Sequence, residues 1–201
     1  INGEWVDPVE PAVIDVINPA TEQSFTQISA GSSADIDRAV AAARVAFASY
    51  SQWSVEQRLE LLERIRTVYK TRFEDIAQAI STEMGAPIDM SRSSQTVIGM
   101  GHIRNAINVL KDFEFETIED GMIVRHEPIG ICGMITPWNW PINQVGSKVM
   151  PALAAGCTMV LKPSEEAPLD SMILAEVLHE AGVPAGVFNL VNGYGPVVGE
   201  A

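Results

Sequence analysis

Basic residues are scarce in this 201-residue sequence, which has 13 Lys and Arg against 26 Asp and Glu and a formal net charge of -13 at pH 7. A surface of that sign repels a phosphate backbone, and no basic cluster offsets it locally, so we expect no nucleic acid partner. Long apolar runs are also missing, since none approaches the roughly 20 residues needed to cross a bilayer. The first residues, INGEWVDP, lack the basic and apolar regions of a signal peptide. These absences predict a cytoplasmic protein with no membrane partner.

Cysteine is rare as well, with two residues in the chain. Cys132 and Cys157 lie in apolar segments away from any C-x-x-C spacing, which argues against a disulfide framework and against a zinc site. The histidines stand alone, without a second ligand at metal spacing, so we expect no metal. Reduced, buried thiols are the expected state.

The sequence does contain enough apolar material for a core, since 47% of its residues are hydrophobic. Short mixed segments broken by prolines come first and are typical of small surface strands and turns. A helix is then predicted with Ser33 as its cap. Ser54 and Gln57 form a capping box for one long or two broken helices, and a further helix is predicted over Asp89–Lys111. Residues 1–112 thus form an N-terminal layer of strands and helices.

A β-hairpin is predicted over residues 113–128. Apolar and polar residues alternate on both sides of Asp120-Gly121, the dipeptide that a tight type I′ turn prefers because glycine tolerates a positive φ. Since a lone hairpin is barely stable in water, we expect it to lie on another domain or on a partner subunit.

Residues 129–201 alternate apolar strands with helices in the order β-α-β-α-β. The strands IGICGMIT, CTMVLKP and GVFNLV show no polar alternation, so we expect them to be parallel and covered on both faces. This pattern indicates an α/β protein carrying half of a Rossmann-like, doubly wound nucleotide-binding sheet. The chain begins without a methionine and stops in what reads as the first turn of a helix, so a segment of a longer protein is expected.

Ligands of such sheets bind at the carboxyl ends of the strands. The candidate ligand-binding segments are therefore the loops TPWNWP, KPSEEAP and NGYGPVVG. In the second loop, Lys162 has two interpretations. It is either the first solvated residue after a buried strand, or, together with Glu165, a donor and an acceptor for a ribose diol.

The third loop contains GYGPVVG, Gly193 to Gly199, which departs from G-x-G-x-x-G because three residues separate its second and third glycines. Turn formation explains these glycines as well as ligand binding does. Their position after a predicted strand, at the start of a helix, favours an approach to pyrophosphate.

In the first loop, Asn139 stands between two tryptophans and two prolines. One interpretation is a turn residue that caps the following helix, with the aromatic and proline side chains as packing residues. The other is a rigid wall that aims the side-chain N–H at a developing oxyanion.

Taken in order, ITPWNWP, GCTMVLKPSEEAP and VFNLVNGYGPVVG resemble the aldehyde dehydrogenase superfamily, as does the start INGEWVDP…IDVINPATEQ. The whole chain is similar to the N-terminal portion of that family. The resemblance implies an NAD cofactor, with NADP as the alternative, and an aldehyde substrate. It also implies a homodimer or homotetramer that uses the hairpin for oligomerisation.

Site residues follow from the same resemblance. Asn139 would be the side-chain half of the oxyanion hole and the catalytic residue of this segment. Lys162 and Glu165 would hold the adenosine ribose, and the Glu165 carboxylate would favour NAD by repelling a 2′-phosphate. The other implied cofactor-binding residues are Ile135, Thr136, Pro137 and Trp138 on the nicotinamide side, Pro163 and Ser164 shaping the ribose loop, and Gly195 and Gly199 at the adenine end.

In the family, a cysteine thiolate attacks the aldehyde to give a thiohemiacetal, and a glutamate base assists hydrolysis of the thioester that forms after hydride transfer. Both groups belong to motifs expected after residue 201. Cys132 and Cys157 do not match the nucleophile, since a thiol in an apolar strand has a raised pKa. The alternatives are a non-catalytic truncated homologue that binds nucleotide or partners, and a relative that passes the acyl group to coenzyme A or phosphate.

Overall fold

The computed structural model describes residues 1–201, with the side chain of Glu119 excepted. The chain begins with an antiparallel pair of strands, β1 (Val13–Asn18) and β2 (Gln23–Ser29), as the short N-terminal segments predicted. Inward-facing residues of this pair form a small separate core: Ile14, Val16, Ile28 and Ala30.

Helices α1 (Ser33–Tyr50), α2 (Val55–Thr71) and α3 (Phe73–Glu83) follow. The prediction that Ser33 caps α1 is wrong by one residue. Ser32 is the cap, and its backbone N–H donates to the Asp35 carboxylate at 2.9 Å. The predicted Ser54–Gln57 capping box is confirmed, with Gln57 N–H donating to the Ser54 hydroxyl at 3.3 Å.

The helical stretch predicted over roughly Asp89–Lys111 is confirmed, but it is not a uniform α-helix. It comprises α4 (Ile88–Met90), a π-helical turn (Ser91–Gln95) and α5 (Thr96–Asp112). The apolar periodicity located the stretch, but a change from i+4 to i+5 hydrogen bonding leaves little trace in side-chain spacing.

The predicted hairpin is confirmed as β3 (Glu116–Glu119) and β4 (Met122–Arg125), paired antiparallel. Its turn has positive φ at Asp120 (50°) and Gly121 (79°), as a type I′ turn requires. Its apolar side chains are strongly exposed, with Ile118 78% and Ile123 64% accessible.

Strands β5 (Ile131–Ile135), β6 (Thr158–Lys162) and β7 (Phe188–Leu190) form a parallel sheet in the order β5-β6-β7. Helices α6 (Pro141–Ala155) and α7 (Leu169–Glu180) connect them, so the predicted β-α-β-α-β unit is confirmed. The expectation that every strand is covered on both faces holds for β6, which is buried throughout. It is wrong for β5, an edge strand in this chain, where Ile135 is 58% exposed.

The main core lies between this sheet and helices α2, α3, α5, α6 and α7. Glycines allow α5 and α6 to approach closely. A methyl group on Gly99 would overlap the Tyr69 hydroxyl and lie 2.9 Å from Ile142, and one on Gly146 would lie 3.2 Å from the His102 ring. Within the described part of the chain, no helix is both long and apolar enough to cross a membrane.

Candidate functional site

The ends of the parallel strands bring the predicted loops together. Ile135 and Lys162 are register partners on β5 and β6, and the Thr136 N–H donates to the Lys162 carbonyl at 3.2 Å. A methyl group built on Gly199 would lie 3.7 Å from Ile135 Cδ1 and 3.9 Å from Lys162 Cδ. Residues from all the predicted loops therefore meet at one edge of the sheet.

Lys162 is buried at this edge, with only 4% of its surface exposed. Its ammonium donates to the Pro163 carbonyl and to Glu165 Oε2, both at 2.8 Å. The interpretation of Lys162 as the first solvated residue after β6 is therefore wrong. A buried ammonium needs such partners because an isolated charge in the interior is costly.

Glu165 joins two of the loops. Burial acts to raise the pKa of its carboxyl, but the Lys162 ammonium and the backbone N–H groups of Glu165 and Gly195 outweigh burial, so the net pKa is lowered. Glu165 is thus ionised at neutral pH, and its contact with Gly195 connects the loop after β6 with the loop after β7. This carboxylate and the Lys162 ammonium offer an acceptor and a donor side by side.

The remaining predicted residues of the ribose loop are structural neighbours of this pair. Pro163 and Ser164 are buried, and the Ser164 hydroxyl accepts from the Glu166 N–H at 3.3 Å. Gly195 and Gly199 begin and end a single π-helical turn, shorter than the helix that the sequence predicted. A side chain at Gly195 would meet only open space, so this turn is approachable by a ligand.

Asn139 is exposed just before α6. The interpretation of Asn139 as the cap is wrong, because the cap position is Trp140, and Pro141 begins the helix. The expected rigid wall is also only partial: Pro137 and Trp138 are exposed, Trp138 by 52%, whereas Trp140 is half-buried and Pro141 buried. Its amide is thus directed to the surface rather than packed into the core.

Comparison with known proteins decides the family. The family model described as "Aldehyde dehydrogenase family" matches residues 5–201. The chain belongs to the aldehyde dehydrogenase family. It is 51% identical over 200 residues to 3-succinoylsemialdehyde-pyridine dehydrogenase of Pseudomonas sp, an alignment that covers 99% of this chain and 42% of that relative.

Solved aldehyde dehydrogenases share the fold. A mutant of aldehyde dehydrogenase C from Pseudomonas syringae, in complex with NAD+ and octanal, matches with a TM-score of 0.97 and 51% identity, over 99% of this chain and 41% of that one. An aldehyde dehydrogenase from Bartonella henselae gives the same TM-score and identity, over 99% and 43%. The chain therefore spans about two fifths of the length of these relatives.

The thiols of this aldehyde dehydrogenase segment are unsuited to nucleophilic attack. Cys157 is buried and Cys132 is half-buried. Burial, followed by the neighbouring Cys157 thiol, raises the pKa of Cys132 to about 11. The thiolate is the reactive form, so the expectation that Cys132 is not the nucleophile is supported by its surroundings.

Sequence reasoning missed two carboxyl groups near the site. Glu83 and Asp170 are buried, with 3% and 0% of their surfaces exposed. Each sits in a helical pattern where a charged residue ordinarily faces water. The one sequence signal was the missing cap of α7, because Pro168 at the cap position has no side-chain acceptor for the first N–H groups.

Proposed function

We propose that the complete protein containing this chain oxidises an aldehyde to a carboxylic acid with NAD. The observation that carries this proposal is the Lys162–Glu165 pair, which is held at 2.8 Å where the strand-end loops meet. A ribose diol needs a donor and an acceptor side by side, and this pair provides both.

The residues of the site fit an NAD molecule. Lys162 and Glu165 would bind the adenosine ribose, and the turn Gly195–Gly199 offers backbone without side chains for a close approach. The ionised Glu165 carboxylate would repel the extra 2′-phosphate of NADP, which favours NAD. Ile135, Thr136, Pro137 and Trp138 would border the nicotinamide.

Asn139 is the residue of this chain that we propose to contact the reacting atoms of the substrate. Bound NAD would supply the hydride acceptor. The Asn139 amide N–H would donate to the aldehyde oxygen as it gains negative charge during attack by a thiolate from a later part of the protein. A donor aimed at that developing charge stabilises the transition state more than the substrate.

The same proposal includes a homo-oligomer formed through β3 and β4. Ile118, Met122 and Ile123 expose 78%, 65% and 64% of their surfaces on this hairpin. A two-stranded hairpin with such apolar exposure gains stability when another surface covers it. The cytoplasmic location expected from the sequence stays a prediction.

The direct test is to express the complete coding sequence that contains this chain and to follow NADH formation with octanal and with 3-succinoylsemialdehyde-pyridine, the aldehydes suggested by its relatives. Aldehyde-dependent NADH formation that yields the free acid without coenzyme A or phosphate supports the proposal. Turnover that requires coenzyme A or phosphate would identify an acyl-transferring relative. NAD binding without turnover would identify a non-catalytic homologue.

A further inference from the structure

A buried pair of carboxyl groups lies where α3 ends and α7 begins. Glu83 is the last residue of α3, and Asp170 lies in the first turn of α7. Asp170 is inaccessible to solvent, and its Oδ2 has no hydrogen-bond partner among the described residues. Its Oδ1 accepts a long hydrogen bond, 3.4 Å, from the Ser171 hydroxyl.

Glu83 caps α7 from outside the helix. Its carboxyl oxygens accept from the Leu169 N–H at 2.6 Å and from the Asp170 N–H at 3.0 Å. The first N–H groups of a helix have no partner within it, and a negative group there also interacts favourably with the helix dipole. Because Pro168 has no capping side chain, the start of α7 depends on Glu83.

The two carboxyl groups are neighbours in the interior, since Glu83 Oε1 accepts from the Asp170 backbone N–H at 3.0 Å and both side chains are buried. Two ionised carboxylates this close would repel each other and offer acceptors only, so at least one of them keeps a proton. Burial raises the pKa of both groups, that of Glu83 further through the adjacent Asp170, and that of Asp170 to about 7.

Among the described contacts, no basic side chain forms an ion pair with Glu83 or Asp170. Tyr69 of α2 is the other titratable group that faces Asp170, and its hydroxyl donates to the Thr96 carbonyl at 2.9 Å. The basic side chains of the surrounding helices are engaged elsewhere: Arg64 with the Ala181 carbonyl, Arg66 with Glu63, Arg72 with Asp75 and Glu176, and Arg92 with Glu74. Asp15 on β1 accepts from Ser24 and Gln27, and Asp89 on α4 is exposed.

The first turn of α7 is the anchor of the loop that holds the Lys162–Glu165 pair. The loop leaves β6 at Lys162 and enters α7 at Leu169. Within it, the Ala167 N–H donates to the Ser164 carbonyl at 3.3 Å. Loss of the Glu83 hydrogen bonds would therefore free one end of a short, tightly folded loop.

We propose that Glu83 and Asp170 are positioning residues that share one proton and, by holding the first turn of α7, keep Lys162 and Glu165 placed for the ribose of NAD. The role in cofactor binding rests on the proposed function, whereas the shared proton does not. When pH rises enough to remove that proton, two negative charges face each other, the pair separates and the start of α7 loosens.

The first test measures hydrogen exchange of the Leu169 and Asp170 amides in the complete protein that contains this chain, relative to unstructured rates. In the wild type, we expect protection to fall by about tenfold or more as pH rises above about 7 and the pair loses its shared proton. Asp170→Asn replaces one acid with an amide that donates to Glu83, so its protection should change by less than about twofold over that range. Glu180→Gln, an exposed position at the other end of α7, should behave like the wild type.

Unfolding by urea gives an independent measure. A carboxyl whose pKa is raised in the folded state stabilises the fold fully below its ordinary pKa, near 4, and that contribution is lost as pH rises through about 7. The wild type should therefore lose stability across this window, and Asp170→Asn should show a flatter profile. Should Asp170→Asn fail to fold, Glu83→Gln removes the same shared ionisation and should also flatten the profile.

The complete protein separates this inference from the proposed function. We expect the Kd for NAD to rise several-fold, about threefold to tenfold, from about pH 6 to about pH 8.5 in the wild type, and to stay nearly constant in Asp170→Asn. If amide protection depends on pH but the complete protein oxidises no aldehyde, the shared proton is supported and the enzymatic proposal is rejected. A different outcome would reject the shared proton: the complete protein oxidises aldehyde normally, and amide protection does not depend on pH in either the wild type or Asp170→Asn.

Discussion

At the scale of single residues, Asn139 is an exposed amide that neither caps α6 nor packs in the core. We predict that Asn139→Ala in the complete protein lowers kcat by an amount equivalent to about 2.7–4 kcal/mol while the Kd for NAD changes little, because the lost donor acts on the transition state. Steady-state kinetics and an NAD titration measure the two effects. Asn105→Ala, at an exposed position on α5, is the control. Unchanged turnover of Asn139→Ala would reject its role.

Lys162 differs from Asn139 because its ammonium contacts the proposed cofactor pocket rather than the reacting atoms. Lys162→Met keeps most of the buried stem but removes the partner of Glu165, 2.8 Å away. We predict that the Kd for NAD rises by about tenfold or more, since a charge-assisted hydrogen bond is worth about 1.5–3 kcal/mol. Calorimetric titration checks this, with the exposed Lys70→Met as a control. Wild-type affinity in Lys162→Met would contradict the ribose assignment.

At the scale of elements, α6 is fixed at the end opposite Asn139. Arg58 Nη1 donates to the Ala154 carbonyl at 2.6 Å, and the Tyr50 hydroxyl donates to the Leu153 carbonyl at 2.9 Å. Both carbonyls belong to the last turn of the helix, where carbonyl groups depend on partners from outside it and a cation also suits the helix dipole.

We therefore predict that Arg58→Met lowers the free energy of unfolding by about 1.5–3 kcal/mol, the usual value of a hydrogen bond to a charged group. Denaturant unfolding measures it. The exposed Arg44→Met on α1 should change stability by less than about 0.5 kcal/mol. Equal effects of the two variants would show that Arg58 contributes only apolar packing.

Sequence-based predictions were accurate for local features of single elements and failed for features that depend on how the elements pack. The capping box of α2 and the turn at Asp120-Gly121 were predicted correctly, because both depend on residues a few positions apart. The burial of Lys162 and the exposed edge of β5 were not, since they depend on which strands and loops lie alongside. Glu83 and Asp170 were missed for the same reason: they are 87 residues apart in the chain and meet only through the packing of α3 on α7.

At the scale of the whole molecule, the hairpin of β3 and β4 carries exposed isoleucines at paired positions, Ile118 and Ile123. We predict that the double variant Ile118→Thr, Ile123→Thr lowers the mass of the complete protein in sedimentation velocity, because it removes apolar area from the proposed subunit contact. Threonine keeps the β propensity. Val45→Thr, at a site 79% exposed on α1, should leave the mass unchanged. An unaltered assembly of the double variant would place the subunit contact elsewhere.

The surroundings of the native thiols have a practical use. Maleimide dyes react with thiolate, and a pKa of about 11 leaves only about one Cys132 in ten thousand in that form at neutral pH. Cys157 is shielded by burial. Within residues 1–201, a fluorophore can therefore be attached selectively to a new surface cysteine, for example through Val45→Cys on α1, without first removing Cys132 or Cys157.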